Sequence, residues 1–315
     1  MRQLEKIIKS GKILSGVGGL YRVFTDEGEI KECVARGILR HGKLTPYPGD
    51  NVLIVGSGQG KNAIQEILPR KNNFSRPNAA NIDILAVTVA AAEPSPSYIT
   101  IDKLLCAAEY YGSEGIVVIT KSELSPEKAE EMKIIYEKCG YKVFVTSSYT
   151  GQGIDRLRSY LGNTEEGKTV FFAGESGAGK SSLINSLYPG LKLKTSGVSK
   201  KIHRGRHTTR AVTLYPVGKP EENGTAFLAD TPGFGMFDIS GIEELYKEDV
   251  AGLFPEFGKY TGKCRYSDCT HLREEGCGVL QAVSNGKVPQ QRHASFVRIY
   301  EEIKKARPYR IKKEK

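Results

Sequence analysis

Short stretches of alternating apolar and polar residues occupy the first 68 positions of the chain, and turn-forming residues separate them. Alternation with a period of two predicts β-strands that bury one face. Five strands are predicted, at residues 13–16, 21–24, 29–37, 51–55 and 62–67. Five such strands suit a small closed barrel, and the OB type is the common version that binds nucleic acids. A barrel of another family fits nearly as well, because periodicity alone does not distinguish barrel types.

The pattern changes after Pro69, where continuous apolar runs alternate with helical stretches. Continuous apolar runs predict strands that are buried on both faces, as in a parallel sheet. Such runs occupy residues 82–90, 116–120, 142–146, 169–173 and 225–228, and helices are predicted at 99–111, 126–139 and 153–161. Strand–helix alternation at this spacing is typical of a doubly wound α/β domain. From about residue 240 the pattern is helical, and a basic helix is predicted near 289–307.

Chain length and composition agree with several modules. The 315 residues are too many for one compact core, and the hydrophobic share of 39% is enough for globular packing. No apolar run approaches the length of a membrane span, and the first residues lack a signal-peptide core, so we expect neither a membrane protein nor a secreted one. We predict a multi-domain chain with an OB-fold-like barrel over 1–70, an α/β domain over 71–238 and a helical module over 239–315.

Positive charge is concentrated in three parts of the chain, whose formal net charge is +10. Residues 190–215 hold seven Lys or Arg and no acidic residue, residues 286–315 hold ten against three, and residues 1–68 hold ten against seven. Separate basic clusters on an otherwise acidic chain indicate a polyanionic partner such as a nucleic acid. A set of solvated basic faces is the alternative, and it needs no partner.

A glycine-rich phosphate-binding sequence follows the strand predicted at 169–173. Residues 174–181 read GESGAGKS and match the pattern G-x-x-x-x-G-K-[ST], with a helix predicted next. Glycines in such a turn let successive backbone N–H groups surround phosphates, while the lysine contacts the β- and γ-phosphate oxygens and the final hydroxyl binds Mg²⁺. The predicted nucleotide-binding residues here are Gly174, Glu175, Ser176, Gly177, Ala178, Gly179, Lys180, Ser181 and Ser182, with Ser181 as the Mg²⁺ ligand.

Two later segments fit the switch loops that respond to the γ-phosphate in nucleotide hydrolases. Asp230 follows a predicted strand and begins the sequence Asp-Thr-Pro-Gly, in which the carboxylate reaches Mg²⁺ through water and the Gly233 N–H contacts the γ-phosphate. Between this segment and the P-loop lies the basic loop 205–210, whose hydroxyl residues Thr208 and Thr209 suit closure on Mg²⁺ and phosphate. Each segment alone is a common turn or a basic surface, but their positions after a P-loop favour switch II and switch I.

Selection of the base is expected from two loops at strand ends. Residues 120–124 and 147–151 resemble the guanine-reading Asn-Lys-x-Asp and Ser-Ala-Lys elements of GTPases, in which a carboxylate accepts from guanine N1–H and the 2-amino group and a backbone N–H reaches O6. The matching residues are Thr120, Lys121, Ser122, Glu123, Ser147 and Ser148. Both loops precede the P-loop, which is the order of a circularly permuted GTPase. A parallel sheet permits this order, because loops at one edge converge whatever their order in the chain.

Four potential zinc ligands lie close together in the C-terminal module. They are Cys264, Cys269, His271 and Cys277, with the spacing Cys-x₄-Cys-x-His-x₅-Cys. Three thiolates and one imidazole complete a tetrahedral site with no open position for catalysis, so one structural zinc is predicted. Unpaired reduced cysteines are the alternative. The isolated cysteines, Cys33, Cys106 and Cys139, are expected to be ordinary buried thiols.

The order of barrel, permuted GTPase, Cys₃His cluster and basic tail resembles the RsgA family of ribosome small subunit-dependent GTPases. The resemblance covers nearly the whole chain and includes residues 205–209 and 230–234. It implies weak hydrolysis of GTP with Mg²⁺, stimulated by the small ribosomal subunit, and a role in late maturation of that subunit in the bacterial cytoplasm. It also implies that the barrel and the zinc module contact rRNA, and that GTP controls how long the protein stays on the small subunit. We expect a monomer with no membrane partner.

Two positions depart from the GTPase patterns. The family commonly has Asn or Thr followed by Lys-x-Asp, whereas this chain has Thr120 and Glu123, and the longer carboxylate predicts looser guanine selectivity with GTP still the substrate. Phe234 stands where small GTPases often carry a water-orienting Gln, so isolated turnover is expected to be slow. His207 is then a candidate for positioning the attacking water, and contact with rRNA is the alternative role.

Two other function classes stay open at this point. An RNA-binding protein that uses nucleotide as a structural ligand would share every motif and would also turn over slowly. A P-loop ATPase or kinase would share the phosphate-binding turn, and the sequence Thr120-Lys121-x-Glu123 is the contrary observation. The residues predicted to carry hydrolysis are His207, Lys180, Thr208 and Thr209.

Overall fold

The computed structural model describes residues 8–35, 45–56, 62–75, 77–162, 167–193, 212–218, 225–230 and 238–309. The chain divides into two compact units, each assembled from segments that are distant in sequence. The first unit takes its described residues from 1–85, 155–173 and 180–234. The second takes them from 86–154, 174–179 and 235–315.

A closed five-stranded barrel forms the N-terminal part of the first unit. Its strands are β1 (Ile8–Val17), β2 (Leu20–Thr25), β3 (Ile30–Ala35), β4 (Asn51–Val55) and β5 (Asn62–Ile67). They follow the order β1-β2-β3-β5-β4, with β3 parallel to β5 and the other pairs antiparallel. The predicted barrel is therefore confirmed. Parallel pairing of the third and fifth strands distinguishes an OB-type barrel from an up-and-down barrel.

Apolar side chains from every strand fill the barrel. Its core consists of Ile13, Val23, Cys33, Val52, Ile54 and Ile64. Gly11 lies where β1 passes close to β2, because a Cβ at this position would lie 2.5 Å from the carbonyl oxygen of Phe24. On the outside of the barrel, the Phe24 ring packs edge-to-face on Phe227 with centroids 5.7 Å apart. The barrel therefore packs against the α/β part of the same unit.

The α/β part contributes strands to both units. They are β6 (Asn73–Ser75), β7 (Asn78–Ala80), β8 (Ile84–Ala90), β9 (Glu114–Thr120), β10 (Lys142–Val145), β11 (Thr169–Ala173), β12 (Leu214–Val217) and β13 (Ala226–Asp230). In the second unit β9 lies between β8 and β10 and is parallel to β10, and in the first unit β13 lies between β11 and β12 and is parallel to β11. All residues of β8 and β11 are buried, as their apolar runs predict. The sequence prediction does not include the short strands β6, β7 and β12, which have three or four residues each.

The helices are α1 (Tyr98–Tyr111), α2 (Pro126–Lys138), α3 (Ile154–Gly162), α4 (Lys180–Leu187), α5 (Gly278–Ser284) and α6 (Gln290–Ala306). The region after residue 238, which the sequence predicts to be helical, begins with short 3-10 turns at Ile239–Gly241, Lys247–Leu253, Pro255–Phe257 and Thr261–Lys263. Glycine and proline in this segment prevent a longer helix, because proline removes a backbone donor and glycine disfavours the helical state. Within the described ranges, every helix is too short or too polar to cross a bilayer.

The C-terminal region shares its core with α1. Side chains from both pack in one cluster, which includes Cys106, Ile239, Leu253, Phe254, Phe257, Phe296 and Ile299. Arg292 of α6 is fully buried beside this cluster, with Nη1 2.6 Å from Asp102 Oδ1 and Nε 2.6 Å from Glu256 Oε1. Burial works to lower the pKa of Arg292, but the two carboxylates outweigh it and hold the pKa well above its usual value. A charged side chain is tolerated in this core because it is fully paired.

Candidate functional site

The predicted phosphate-binding turn adopts a backbone conformation that requires glycine. Gly174, Gly177 and Gly179 have φ values of 148°, 85° and 84°. A Cβ at Gly174 would lie 2.0 Å from the carbonyl oxygen of Thr88, so a side chain has no room there. Glycine at these positions allows the turn to present consecutive backbone N–H groups to an anion, which is the chemistry expected of a P-loop.

Glu175 is the acidic member of this turn, and its side chain contacts α1. Its Oε1 accepts a hydrogen bond of 3.0 Å from the Thr100 hydroxyl, and Thr100 lies 2.9 Å from the Ser97 hydroxyl at the N-cap of α1. The carboxylate therefore anchors the turn to the start of α1. Sequence reasoning missed Thr100, because a single threonine in a helix carries no motif.

The residues that follow the turn lie in the first unit, where α4 begins at Lys180. Lys180 is largely buried, with 9% of its surface exposed. The hydroxyl of Ser181 donates a hydrogen bond to Asp230 Oδ2 at the end of β13. The structure thus brings together the two predicted contributors to a Mg²⁺ site. A hydroxyl and a carboxylate are the oxygen ligands that Mg²⁺ prefers.

The first predicted base-reading loop begins at Thr120 and contacts the phosphate-binding turn. Thr120 Oγ1 lies 2.5 Å from the carbonyl oxygen of Ala178 and 3.2 Å from that of Val89. Lys121 has a left-handed backbone with φ of 53°, and its ammonium group donates to the carbonyl oxygen of Glu93. Its Cε lies 3.9 Å from the position of a Cβ on Gly179, so the aliphatic stem of the lysine passes along the turn.

The second predicted loop, from Ser147, is tied to the first by direct hydrogen bonds. The Ser122 N–H donates to Thr146 O at 3.3 Å, and the Ser122 hydroxyl lies 3.3 Å from Gln152 Oε1. The Ser147 N–H donates to Gln152 O at 3.0 Å. Ser147 is fully buried, whereas Ser148 is exposed. Gln152 therefore links both loops. The sequence did not reveal this role, because Gln152 lies outside the two segments that resemble guanine-reading elements.

Glu123 has an unsatisfied acceptor in this arrangement. Its Oε2 is buried and has no hydrogen-bond partner among the described residues. A buried carboxylate oxygen without a donor is unfavourable by itself, and it becomes favourable when a ligand supplies an N–H group. The donor edge of guanine fits this acceptor, since it carries N1–H and a 2-amino group side by side.

Several predicted residues lie outside the described ranges. They are the switch I candidates His207, Thr208 and Thr209, and the switch II residues Gly233 and Phe234. Their roles therefore stay predictions from sequence.

The four predicted zinc ligands converge in the second unit. The ligand atoms of Cys264, Cys269, His271 and Cys277 all lie within 4.8 Å of one another. Cys264 Sγ is 3.5 Å from His271 Nδ1 and 3.9 Å from Cys277 Sγ, and the latter is 3.4 Å from His271 Nδ1. Ligands on a tetrahedron around zinc, with bonds of about 2.0–2.3 Å, are separated by similar distances. This donor set fits zinc.

Backbone donors point at the sulfur atoms of this cluster. The Gly278 N–H donates to Cys264 Sγ and the Leu280 N–H to Cys277 Sγ, both at 3.4 Å. Burial raises the pKa of the Cys269 and Cys277 thiols, so the thiols are disfavoured as thiolates until a cation compensates their charge. N–H groups aimed at sulfur support the charged form that a metal requires.

A second layer of contacts positions the loop that carries His271. Glu274 accepts hydrogen bonds from the N–H groups of Thr270 and Leu272, both at 3.0 Å, and from that of Arg273. Burial opposes ionisation of Glu274, but these donors and the Thr270 hydroxyl outweigh it and lower its pKa to about 2. His293 of α6 contacts the His271 carbonyl oxygen through Nε2 at 2.8 Å. These positioning residues carry no spacing signal, and the sequence analysis did not identify them.

Comparison with protein-family models and with curated proteins shows the family to which the chain belongs. A family model described as RsgA GTPase matches residues 67–240, and one described as RsgA N-terminal domain matches residues 10–64. A protein of Agathobacter rectalis named small ribosomal subunit biogenesis GTPase RsgA is 39% identical, over 95% of this chain and 100% of its own length. A protein of the same name from Caldanaerobacter subterraneus is 37% identical, over 98% of this chain and 100% of its own length.

Solved structures agree with this assignment. YjeQ from Thermotoga maritima superposes with a TM-score of 0.78 at 34% identity, covering 94% of this chain and 99% of YjeQ. YloQ, described as a circularly permuted GTPase, gives a TM-score of 0.74 at 29% identity, covering 98% of this chain and 99% of YloQ. The family resemblance and fold class predicted from sequence are confirmed. This chain, with its barrel, its predicted base-reading loops ahead of the P-loop and its Cys₃His cluster, therefore belongs to the RsgA family of circularly permuted GTPases.

Proposed function

We propose that this protein hydrolyses GTP on the small ribosomal subunit during late maturation and that hydrolysis controls its release. Support comes from relatives that are 37–39% identical over nearly their whole length and are named for small ribosomal subunit biogenesis. The three basic segments of the chain fit contact with the phosphates of rRNA. We further propose a cytoplasmic monomer with modules at 1–70, 71–238 and 239–315.

Nucleotide phosphates are held by the turn Gly174–Gly179 and by Lys180 in this proposal. The left-handed glycines let the turn curl around the β-phosphate, and the lysine supplies a positive charge. Ser181 and Asp230, whose side chains are hydrogen-bonded to each other, would hold Mg²⁺, with the Ser181 hydroxyl as a ligand and the Asp230 carboxylate acting through water. Mg²⁺ neutralises charge that develops on the phosphates when it is bound.

The observation that carries the choice of GTP is the unsatisfied acceptor of Glu123. A carboxylate with a buried, unpartnered oxygen beside the phosphate-binding turn matches the donor edge of guanine and not that of adenine. The contact between Thr120 and Ala178 places this loop against the turn. Ser148, which is exposed in the second loop, is the residue whose backbone N–H would face O6.

Zinc is proposed as one structural ion held by Cys264, Cys269, His271 and Cys277. Four protein ligands leave no open coordination position, so the ion stabilises the surrounding turns and takes no part in hydrolysis. The module that it holds is a proposed rRNA contact.

Water activation is assigned by proposal to switch I. His207 positions the attacking water, since an imidazole can accept its proton and Phe234 cannot. Thr208 and Thr209 close on Mg²⁺ and the γ-phosphate. A His207→Ala variant should bind the small subunit in the presence of GTP but lose subunit-stimulated hydrolysis. If it binds poorly yet hydrolyses normally at saturation, His207 is an RNA contact instead.

Hydrolysis of GTP with and without purified small ribosomal subunits tests the proposed function. We expect slow turnover alone and clear acceleration by the subunit, and no acceleration by the large subunit. Unchanged turnover at saturating small subunit would contradict the proposal and favour an RNA-binding protein with a structural nucleotide. Equal affinity for ATP and GTP would favour an ATPase.

A Glu123→Gln variant tests the role of Glu123 when it is titrated with GTP and with xanthosine triphosphate, whose base carries an oxygen in place of the 2-amino group of guanine. In Glu123→Gln the side chain presents an amide donor, which clashes with the 2-amino group of guanine and fits the 2-oxo group of xanthine. We expect GTP affinity to fall roughly 5- to 150-fold and affinity for xanthosine triphosphate to rise. Glu123→Asp, the matched control, should keep the preference for GTP. Unchanged GTP affinity in Glu123→Gln would remove Glu123 from base recognition.

A further inference from the structure

Tyr149 is an exposed aromatic residue at the apex of the second base-reading loop. Its relative exposure is 89%, the largest among the exposed hydrophobic side chains of the described residues. Apolar surface in water costs free energy in proportion to its area, so an aromatic ring at a loop apex gains stability when a flat partner covers it.

The loop that carries Tyr149 is ordered by its own hydrogen bonds. The Thr150 N–H donates to Ser147 Oγ at 3.0 Å, and the Gly151 N–H donates to Ser147 O at 3.0 Å. Gly151 has φ of 81°, a left-handed conformation that closes the turn. The ring is therefore attached to a defined turn, directly after Ser148.

This turn is held beside the loop of Glu123. Its buried first residue, Ser147, is bonded to Gln152, and Gln152 contacts Ser122, the neighbour of Glu123. The strands that lead into the two loops are adjacent and parallel, with Val145 opposite Ile119. Tyr149 therefore lies two residues after Ser147, which hydrogen bonds hold beside the loop of Glu123.

A purine has one donor edge and two apolar faces, and the described residues supply different groups for each. Glu123 meets the edge in the proposed function. The stem of Lys121, which lies along the phosphate-binding turn, offers methylene groups to one face. Within residues 120–124 and 146–153, Tyr149 is the only aromatic residue, and it offers a ring to the other face.

We propose that the Tyr149 ring stacks on the base of the bound guanine nucleotide and so contributes to its affinity. The inference rests on the proposed function, because it needs guanine in the loop of Glu123. Stacking recognises a flat aromatic base rather than its hydrogen-bonding edge. Tyr149 therefore strengthens binding of purine nucleotides in general, while Glu123 selects guanine. This division offsets the longer reach of a glutamate at the selecting position.

Substitution of Tyr149 tests the stacking contact. Removal of a base-stacking aromatic weakens binding by roughly 5- to 150-fold, which corresponds to about 1–3 kcal/mol at tenfold per 1.4 kcal/mol. We expect Tyr149→Ala to raise the Kd for GDP and GTP roughly tenfold and to leave binding of inorganic tripolyphosphate unchanged. Tyr149→Phe should keep the original affinities. Tyr309→Ala, at an exposed tyrosine of the C-terminal end, is the matched control and should change neither.

A fluorescence probe reports the contact directly, because the chain contains no tryptophan. In Tyr149→Trp the single indole should lose emission when GDP binds, since a stacked guanine quenches it. In Tyr309→Trp emission should stay constant at the same GDP concentrations.

Three outcomes separate the possibilities. A weakened nucleotide affinity in Tyr149→Ala together with quenching in Tyr149→Trp supports stacking. Original GDP affinity in Tyr149→Ala with constant emission in Tyr149→Trp overturns stacking. If Tyr149→Ala then also loses binding to the small subunit, the ring is a subunit contact. If the unmodified protein binds GTP no better than ATP, the proposed function itself fails, and stacking on guanine falls with it.

Discussion

Backbone conformation builds the turn at Gly174–Gly179, whereas converging side chains build the Cys₃His module. The turn depends on three left-handed glycines, on a contact from Thr120 to a main-chain oxygen and on the hydrogen bond of Glu175 with Thr100. The module depends on three sulfur atoms, one imidazole and the buried pairs of Arg292. Its neighbouring 3-10 turns are short and supply little regular hydrogen bonding.

The difference shows how each region tolerates change. A turn made of backbone fails when a Cβ is added, but most of its side chains can vary. A module made of converging side chains fails when one member is removed, because the remaining members are left buried and unpaired. Substitutions of one kind should therefore affect one region strongly and the other weakly.

Removal of a zinc ligand should have the largest effect. Cys269→Ala should abolish binding of one zinc equivalent and expose the amides of 238–288 to hydrogen exchange, since structural zinc contributes roughly 10 kcal/mol or more to small metal-dependent folds. Metal analysis and exchange measurements check this. Cys139→Ala removes a buried thiol outside the cluster and should keep the metal. Absence of zinc from protein purified without chelators would refute the assignment.

Disruption of the buried ion pairs should come second. Arg292→Met leaves Asp102 and Glu256 buried without a cation and should lower the free energy of unfolding by about 3–5 kcal/mol. Urea denaturation of the metal-loaded protein measures it. Arg298→Met, on the exposed side of the same helix, should change stability by less than about 0.5 kcal/mol. Equal effects of the two substitutions would show that the buried ion pairs of Arg292 contribute no more to the free energy of unfolding than a surface charge does.

Addition of one Cβ to the turn should have the third largest effect. Gly174→Ala places that atom against Thr88 O and should destabilise the protein by about 1–3 kcal/mol, with a clear loss of GTP affinity. Gly190→Ala, where a Cβ meets no atom within 4 Å, should be near neutral. Thermal unfolding and nucleotide titration separate the two variants. Normal GTP binding by Gly174→Ala would contradict a backbone-built site.

Loss of one hydroxyl should have the smallest effect. Thr120→Val removes the hydrogen bond to Ala178 O while keeping the shape of the side chain, so we expect a cost of about 1 kcal/mol and a roughly fivefold weaker affinity for GTP. Thr120→Ser keeps the hydroxyl and should bind GTP normally. Equal affinity in the valine and serine variants would show that the contact between loop and turn does not support the site.

The sequence of the two regions carries different amounts of information about their structure. The glycines of the predicted phosphate-binding turn have the positive φ values that such a turn needs, because a backbone function demands particular residue types at fixed spacing. The four predicted zinc ligands, whose ligand atoms the structure brings within 4.8 Å of one another, were predicted for the same reason. Glu274 and His293, which contact the loop of His271, were missed, and so was the buried Arg292. A charged or polar residue in a helix or loop usually faces solvent, so the sequence gives no sign of such contacts.

The sequence by itself determined the barrel, the longer buried strands of the α/β part and the positions of the turn glycines and of the four candidate zinc ligands. These features are local, because a period, a turn or a motif is written in neighbouring residues. Only the tertiary structure decided which distant groups meet: Thr120 at Ala178, Gln152 between the two predicted base-reading loops, and Arg292 between Asp102 and Glu256. Burial creates these pairs, since a polar group removed from water is stable only beside a partner that the fold brings to it.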